Sequence, residues 1–201
     1  MEHLPSTPQS VFLAELRLKT SASHKTLEQN PYSIALMAHE TTINDYRIYL
    51  EKLYGFVKPY EQAVFNMLKP YIPDIKSRSK INLLEQDLQA VGVTPDKLKL
   101  LPIFKYAVPA NVAEAFGAMY VLEGSTLGGN IIYKRLNHLL GINSQVNGKY
   151  FTAYGDDSGK YWKGFIESFS NYAVEYAAEK VIINSAINTF NNMDKWLLEE
   201  V

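Results

Sequence analysis

AEAFGAMYVLEGSTLGGNIIYKRLNHLL, running from Ala113 to Leu140, is a long apolar stretch with helical spacing into which Gly117, Gly124, Gly128 and Gly129 are set. A glycine inside a helix costs roughly 0.5–1 kcal/mol relative to alanine, so the four give up on the order of 2–4 kcal/mol of local helix stability. A sequence that keeps them needs bare backbone at those positions. Gly117, Gly124 and Gly128 are seven and four residues apart, which brings them to one helical face, and a kink is expected there. Two uses fit such a face: close packing of another helix, or a platform against a flat ligand.

Outward from this stretch the same periodicity continues. Leu13, Leu16, Thr20, His24 and Leu27 follow a three-and-four spacing, and no run of strict alternation occurs, so the fold is expected to be all-α. Pro31 ends the first helix. A short second helix fits Ser33 to His39, and Thr41 or Thr42 caps a third running to about Leu68, bent by Gly55 and Pro59. Pro70 and Pro73 mark a turn, Lys80 to Val91 reads as a fourth helix closed by Gly92, and a turn of helix follows Pro95. Gly141 to Gly159 reads as a long irregular connection of the kind that often carries function. Tyr161 to Glu200 is helical, either divided near Ser168 to Tyr172 or continuous with a bend.

The chain has 201 residues, which suits a single domain over 1–201 with residues 1–9 as a disordered tail. Lys+Arg number 20 against Asp+Glu 21, so no global field points to nucleic acid or a membrane surface. No cysteine is present, which excludes thiol nucleophiles, disulfides and thiolate metal sites and fits a reducing cytosol. The first ten residues lack the pattern of a signal peptide and no apolar run reaches membrane-span length, so a soluble, cytoplasmic protein is expected, a monomer by default.

His24 shares its stripe with Leu13, Leu16, Thr20 and Leu27 and is expected to face the core. On an apolar face a histidine is more often a hydrogen-bonded core residue than a ligand, yet imidazole is also a frequent axial ligand of haem iron. His39 and His138 fall near helix C-termini, where a cation is favoured, and His3 lies in the tail. No Glu-x-x-His pair, His-Glu-x-x-His motif or phosphate-binding glycine loop occurs.

Two motifs together resemble the haem oxygenase family in its bacterial, biliverdin-producing form. Leu16-Arg17-Leu18-Lys19-Thr20 followed by His24-Lys25-Thr26-Leu27-Glu28 is similar to the family's proximal helix. Tyr120-Val121-Leu122-Glu123-Gly124-Ser125-Thr126-Leu127-Gly128-Gly129 is similar to its distal helix, and Tyr154-Gly155 with Trp162 and Phe165 is a weaker echo of a later segment. The resemblance runs from about residue 13 to 170. It implies a single-domain helical bundle in which His24 is the proximal iron ligand and Gly124 and Gly128 form a kinked distal face that steers O2. Arg17, Thr20 and Lys163 would hold the haem, with Lys160 a weaker candidate for its propionates. The implied reaction is oxidative cleavage of haem to biliverdin, CO and ferrous iron, with electrons from a ferredoxin or a flavin reductase.

One departure bears on mechanism. Many members carry an aspartate after the first distal glycine, where it orders water for proton delivery, and here that position is Ser125. Proton delivery is then expected from Ser125 with Glu123 or Asn130 through water. The substitution also motivates an alternative, a haem carrier or sensor without turnover. Thiamin-fragment hydrolysis on the related thiaminase fold needs a cysteine that this chain lacks. A purely structural helical protein would be indifferent to loss of His24.

Overall fold

The structure is a computed structural model that describes residues 7–105 and 108–199. Thr7 caps the first helix, α1 (Pro8–Glu28), through its side-chain oxygen to the Ser10 N–H, with Pro8 supplying the fixed φ that suits a first helical position. Pro8 and Gln9, expected within the tail, are helical. His3 lies outside the described residues.

Asn30 caps α2 (Pro31–Met37) and also ties it to the last helix, its amide donating to the backbone and side-chain oxygens of Asp194 at 3.0 and 2.8 Å. The helix starts two residues earlier than expected, because Pro31 initiates it rather than only breaking α1. Thr42 opens α3 (Ile43–Leu68) with a reciprocal capping box to Asp45.

Within α3, Pro59 has no N–H for the Gly55 carbonyl one turn back. The Phe104 N–H takes that orphaned oxygen at 3.0 Å, and the connector approaches so closely that a Cβ on Gly55 would lie 2.4 Å from the Pro102 carbonyl oxygen. The glycine and proline expected to bend the helix together create a docking point for a crossing chain.

A 3-10 turn over Ile75–Arg78 leads to α4 (Ile81–Ala90), which closes at Gly92 with φ 93°, and α5 (Pro95–Leu100) follows. The glycine-rich stretch is one uninterrupted helix, α6 (Val112–Leu140), capped by Asn111 and ended by Gly141 in the left-handed region. The connection after it is pinned rather than loose. Asp87 accepts from the Lys149 and Tyr150 N–H groups at 3.0 and 2.8 Å, and the Tyr46 hydroxyl donates to the Asn147 carbonyl at 2.6 Å.

The last two helices are α7 (Ser158–Glu175) and α8 (Glu179–Leu198). The division falls at Tyr176–Ala178, not near Ser168–Tyr172. Ala177 takes the left-handed conformation (φ 48°), and the Ala178 N–H bonds the Ala173 carbonyl while the Ala177 N–H bonds that of Val174. These two bonds form a Schellman closure at a residue that carries no glycine signal.

No strand occurs among the described residues. α6 packs against α3, α7 and α8, and α1 packs against α7 and α8. α1 and α6, however, do not touch as backbones: no Cα of one comes within 8 Å of a Cα of the other. Phe169 of α7 separates them, its ring 5.2 Å from Phe12 of α1 and 5.6 and 6.0 Å from Tyr120 and Phe116 of α6.

Candidate functional site

The gap between α1 and α6 is where the glycines divide into two kinds. A Cβ on Gly117 would lie 2.5 Å from the Ile182 carbonyl oxygen and 2.6 Å from the Ser185 Cβ, so this glycine lets α8 approach. One on Gly129 would lie 2.5 Å from the Phe151 carbonyl oxygen, admitting the pinned connection. At Gly128 a Cβ would meet nothing within 4 Å, and at Gly124 only the Trp162 ring at 3.7 Å. The expectation that Gly117 shares a ligand-facing surface with Gly124 and Gly128 is thus corrected. Gly117 serves helix packing, and the open backbone is confined to Gly124 and Gly128.

Across the gap stands His24. It does not face the core: its side chain is 55 % exposed. The physical reason is angular drift. At about 100° per residue, Phe12, Leu16 and Thr20 step round by about 40° each, and the next step carries His24, with Arg17 beside it, to the edge of the buried stripe. Phe190 of α8 meets the imidazole edge-on at 5.4 Å, and Nδ1 faces the Glu28 carboxylate at 3.6 Å. Among the described residues Nε2 has no partner, which is the arrangement of an available ligating nitrogen.

Thr20 is buried one turn before His24, its hydroxyl donating to the Leu16 carbonyl at 2.8 Å. Tyr120, one turn before Gly124, lies close to it, so the two side chains meet between α1 and α6. Burial raises the Tyr120 phenol's pKa, while Thr20 and the nearby positive charge of Arg17 oppose the rise. Arg17 is exposed and, among the described residues, makes no hydrogen bond or ion pair of its own; Lys160 and Lys163 on α7, either side of Trp162, are likewise exposed and without an ion-pair partner there. Trp162, 5.7 Å from Tyr120, lines the gap beside Gly124.

Ser125 is exposed, and its hydroxyl proton is engaged by the Leu122 carbonyl of its own helix at 2.7 Å. Burial raises the pKa of the nearby Tyr150 phenol, with Ser125 partly offsetting the rise. Tyr150 stands near Tyr49 of α3. Asn130 is half-buried and makes no hydrogen bond.

Glu123 cannot join Ser125 in a relay as expected. Its side chain is 2 % exposed and is fixed on another flank of α6 by Arg78 (2.6 Å), the Tyr154 hydroxyl (2.7 Å) and Lys80 (3.4 Å). Arg78 is held in turn by Asp74 at 2.9 Å and by the Tyr161 carbonyl at 3.2 Å. Burial lowers the Lys80 pKa against the pull of Glu123 and Glu61. Burial also raises the Tyr154 phenol, reinforced by Glu123. Arg78 and Lys80 were not legible as site neighbours, because in the run Ile75 to Lys80 they look like solvated loop cations.

Among the described residues no group of three or more His, Asp or Glu side chains could hold a metal ion. The residues fit haem: an imidazole on α1 whose Nε2 has no partner among the described residues, bare backbone at Gly128 of α6, aromatic side chains between the two helices and exposed cations on α1 and α7. Nor is any described helix long and apolar enough to cross a membrane.

The protein-family model described as Heme oxygenase matches residues 10–199. No curated protein matches significantly. Among solved structures, the heme oxygenase of Neisseria meningitidis, studied with NO and CO bound, superposes with a TM-score of 0.73 at 22% identity, covering 92% of this chain and 89% of that one. The heme oxygenase of Leptospira interrogans gives 0.73 at 18% identity, covering 92% and 98%. Heme oxygenase-1 of the cyanobacterium Synechocystis, solved in complex with heme, gives 0.71 at 18% identity, covering 92% and 90%.

Proposed function

This chain belongs to the heme oxygenase family, and from that premise we propose that it opens the haem ring oxidatively to biliverdin, releasing CO and ferrous iron, with O2 as oxidant and electrons from a ferredoxin or a flavin reductase. The observations that support the reading are an exposed imidazole at His24 on α1 and, on α6, a glycine pair that no backbone covers, Gly128 open and Gly124 against the Trp162 ring alone, on two helices whose backbones do not touch.

Bound in that gap, the haem supplies the redox iron and is itself the ring that is cleaved. The chain's own residues do the rest. His24 binds through Nε2, with Glu28 at Nδ1 and Phe190 against the ring edge holding its orientation. Gly124 and Gly128 let the ring face lie against backbone, and steric guidance of the small ligand falls to that bare surface. Arg17 and Lys163 are the cations for the propionates, and Thr20 and Tyr120 meet between α1 and α6. Proton delivery is assigned to Ser125 backed by Tyr150. With its own proton on the Leu122 carbonyl, the serine oxygen acts as an acceptor that orders a water, and Tyr150 stays protonated beside it. The absence of cysteine from the sequence supports a reducing, cytoplasmic setting.

A second reading, a haem carrier or sensor, is favoured by that same engagement of Ser125, which leaves the site without a carboxylate to move protons. Titration with hemin followed by ascorbate or a ferredoxin system in air separates the two. An oxygenase takes up one hemin, then loses its Soret band and gains the biliverdin absorption. A carrier keeps the Soret band. In either case His24→Ala should retain part of its hemin uptake through apolar contacts but lose the native axial-ligand spectrum, and an unchanged spectrum would remove His24 from the site.

A further inference from the structure

α6 presents an unusual mechanical problem. Its slot side, at Gly124 and Gly128, has no side chains and little protein to lean on, so its placement must be fixed from another flank. The Glu123 carboxylate provides the fixing point immediately before Gly124. Oε2 takes Arg78 and Oε1 takes both the Tyr154 hydroxyl and Lys80, while Lys80 further donates to the Tyr154 oxygen at 2.5 Å and to the Arg78 carbonyl at 2.7 Å. Donors therefore reach one carboxylate from the segment before α4 and from the connection after α6, and Arg78 extends the grip to the start of α7 through the Tyr161 carbonyl.

Apolar contacts tolerate sliding, whereas a carboxylate bonded at both oxygens fixes the rotation of a helix about its axis as well as its height. Buried ion pairs are a weak source of net stability, since well-packed apolar residues often do as well, and their better-attested use is to select one arrangement. We propose, resting on the haem reading above, that Glu123, clamped by Arg78, Lys80 and Tyr154, is a positioning residue that sets the height and rotation of the Gly124–Gly128 surface over the bound ring and so the geometry of the ligand held beneath it.

The test compares Glu123→Gln and Tyr154→Phe with Ser185→Ala. Ser185→Ala removes a different anchor of α6, the 2.7 Å bond to the Glu114 carbonyl near its start. Each protein is loaded with hemin, reduced under CO, and read by the iron–CO stretch, by the isomer composition of the product formed in air, and by thermal midpoint. The clamp variants should shift the stretch and the isomer composition and slow turnover on the order of 10- to 100-fold, while Ser185→Ala lowers the midpoint alone. Tyr154→Phe keeps all three charges and carries the test if Glu123→Gln does not fold. Clamp variants that match wild type in stretch and isomer composition and lose only thermal midpoint overturn the proposal and leave the haem reading standing. A wild-type protein that takes up no hemin overturns both.

Discussion

Gly117 and Gly128 stand on one helix and differ only in what lies beyond the missing Cβ: the Ile182 carbonyl oxygen at 2.5 Å in one case, open space in the other. The same substitution should therefore have opposite effects. Gly117→Ala forces backbone apart at the α6–α8 contact and should cost about 1–3 kcal/mol. Gly128→Ala removes a helix-breaking residue from an unobstructed position and should stabilise the fold by about 0.5–1 kcal/mol. Enlarged to Gly128→Val, the side chain should still permit folding while weakening hemin uptake or altering the product isomer. Urea unfolding midpoints and hemin titrations of the three variants check this, and a destabilised Gly128→Ala would return that glycine to a packing role. At this scale the sequence announced that bare backbone was needed but not which glycine served which neighbour, because seven- and four-residue spacings describe a helix face and not what crosses it. His24 was misplaced for a related reason: a three-and-four pattern marks the buried stripe and its edge alike.

Helix ends are where element-scale reasoning was most exposed. Thr42 was legible as a cap, and the box with Asp45 gives it a pH signature. The Thr42 side chain, then its backbone N–H, hold the Asp45 carboxyl below its ordinary range. A carboxyl with a folded pKa below its unfolded value contributes fully above about pH 4 and loses that contribution as pH falls through the folded value. Asp45→Asn should therefore be less stable than wild type by about 1 kcal/mol at neutral pH, with the gap closing below about pH 4 in urea titrations. A gap independent of pH would mean that hydrogen-bonding shape, not charge, makes the cap. The α7–α8 boundary was not legible, because Ala177 adopts a conformation that the sequence gives no reason to expect. A left-handed alanine costs roughly 1–2 kcal/mol, part of which glycine's chain entropy cancels. Ala177→Gly should therefore raise the thermal midpoint by about 2–4 °C, and a lower midpoint would show that the strain is absent.

Across the whole molecule, the slot exists because α7 and α8 hold α1 and α6 apart. Phe169 is the clearest spacer, fully buried and in contact with aromatic rings of both helices. Phe169→Ala should cost about 3–5 kcal/mol, and by letting α1 settle toward α6 it should weaken hemin uptake beyond what the lost stability explains. Hemin affinity that is unchanged well below the melting transition would assign the spacing to α8 alone.

Periodicity, caps and glycine placement determined from sequence alone that the fold is all-α and that Ala113 to Leu140 lies in one long helix, while the two motifs around His24 and Gly124–Gly129 carried the resemblance to the family; these are local or motif properties that each segment carries by itself. Only the tertiary structure decided that Gly117 and Gly129 are packing contacts while Gly124 and Gly128 stay open, and that Glu123 is withdrawn from the slot into a clamp with Arg78, Lys80 and Tyr154. Those distinctions depend on which distant segments arrive at each face of α6. An arrival across 31 to 71 residues of chain has no local pattern, because burial and pairing are properties of the neighbour as much as of the residue.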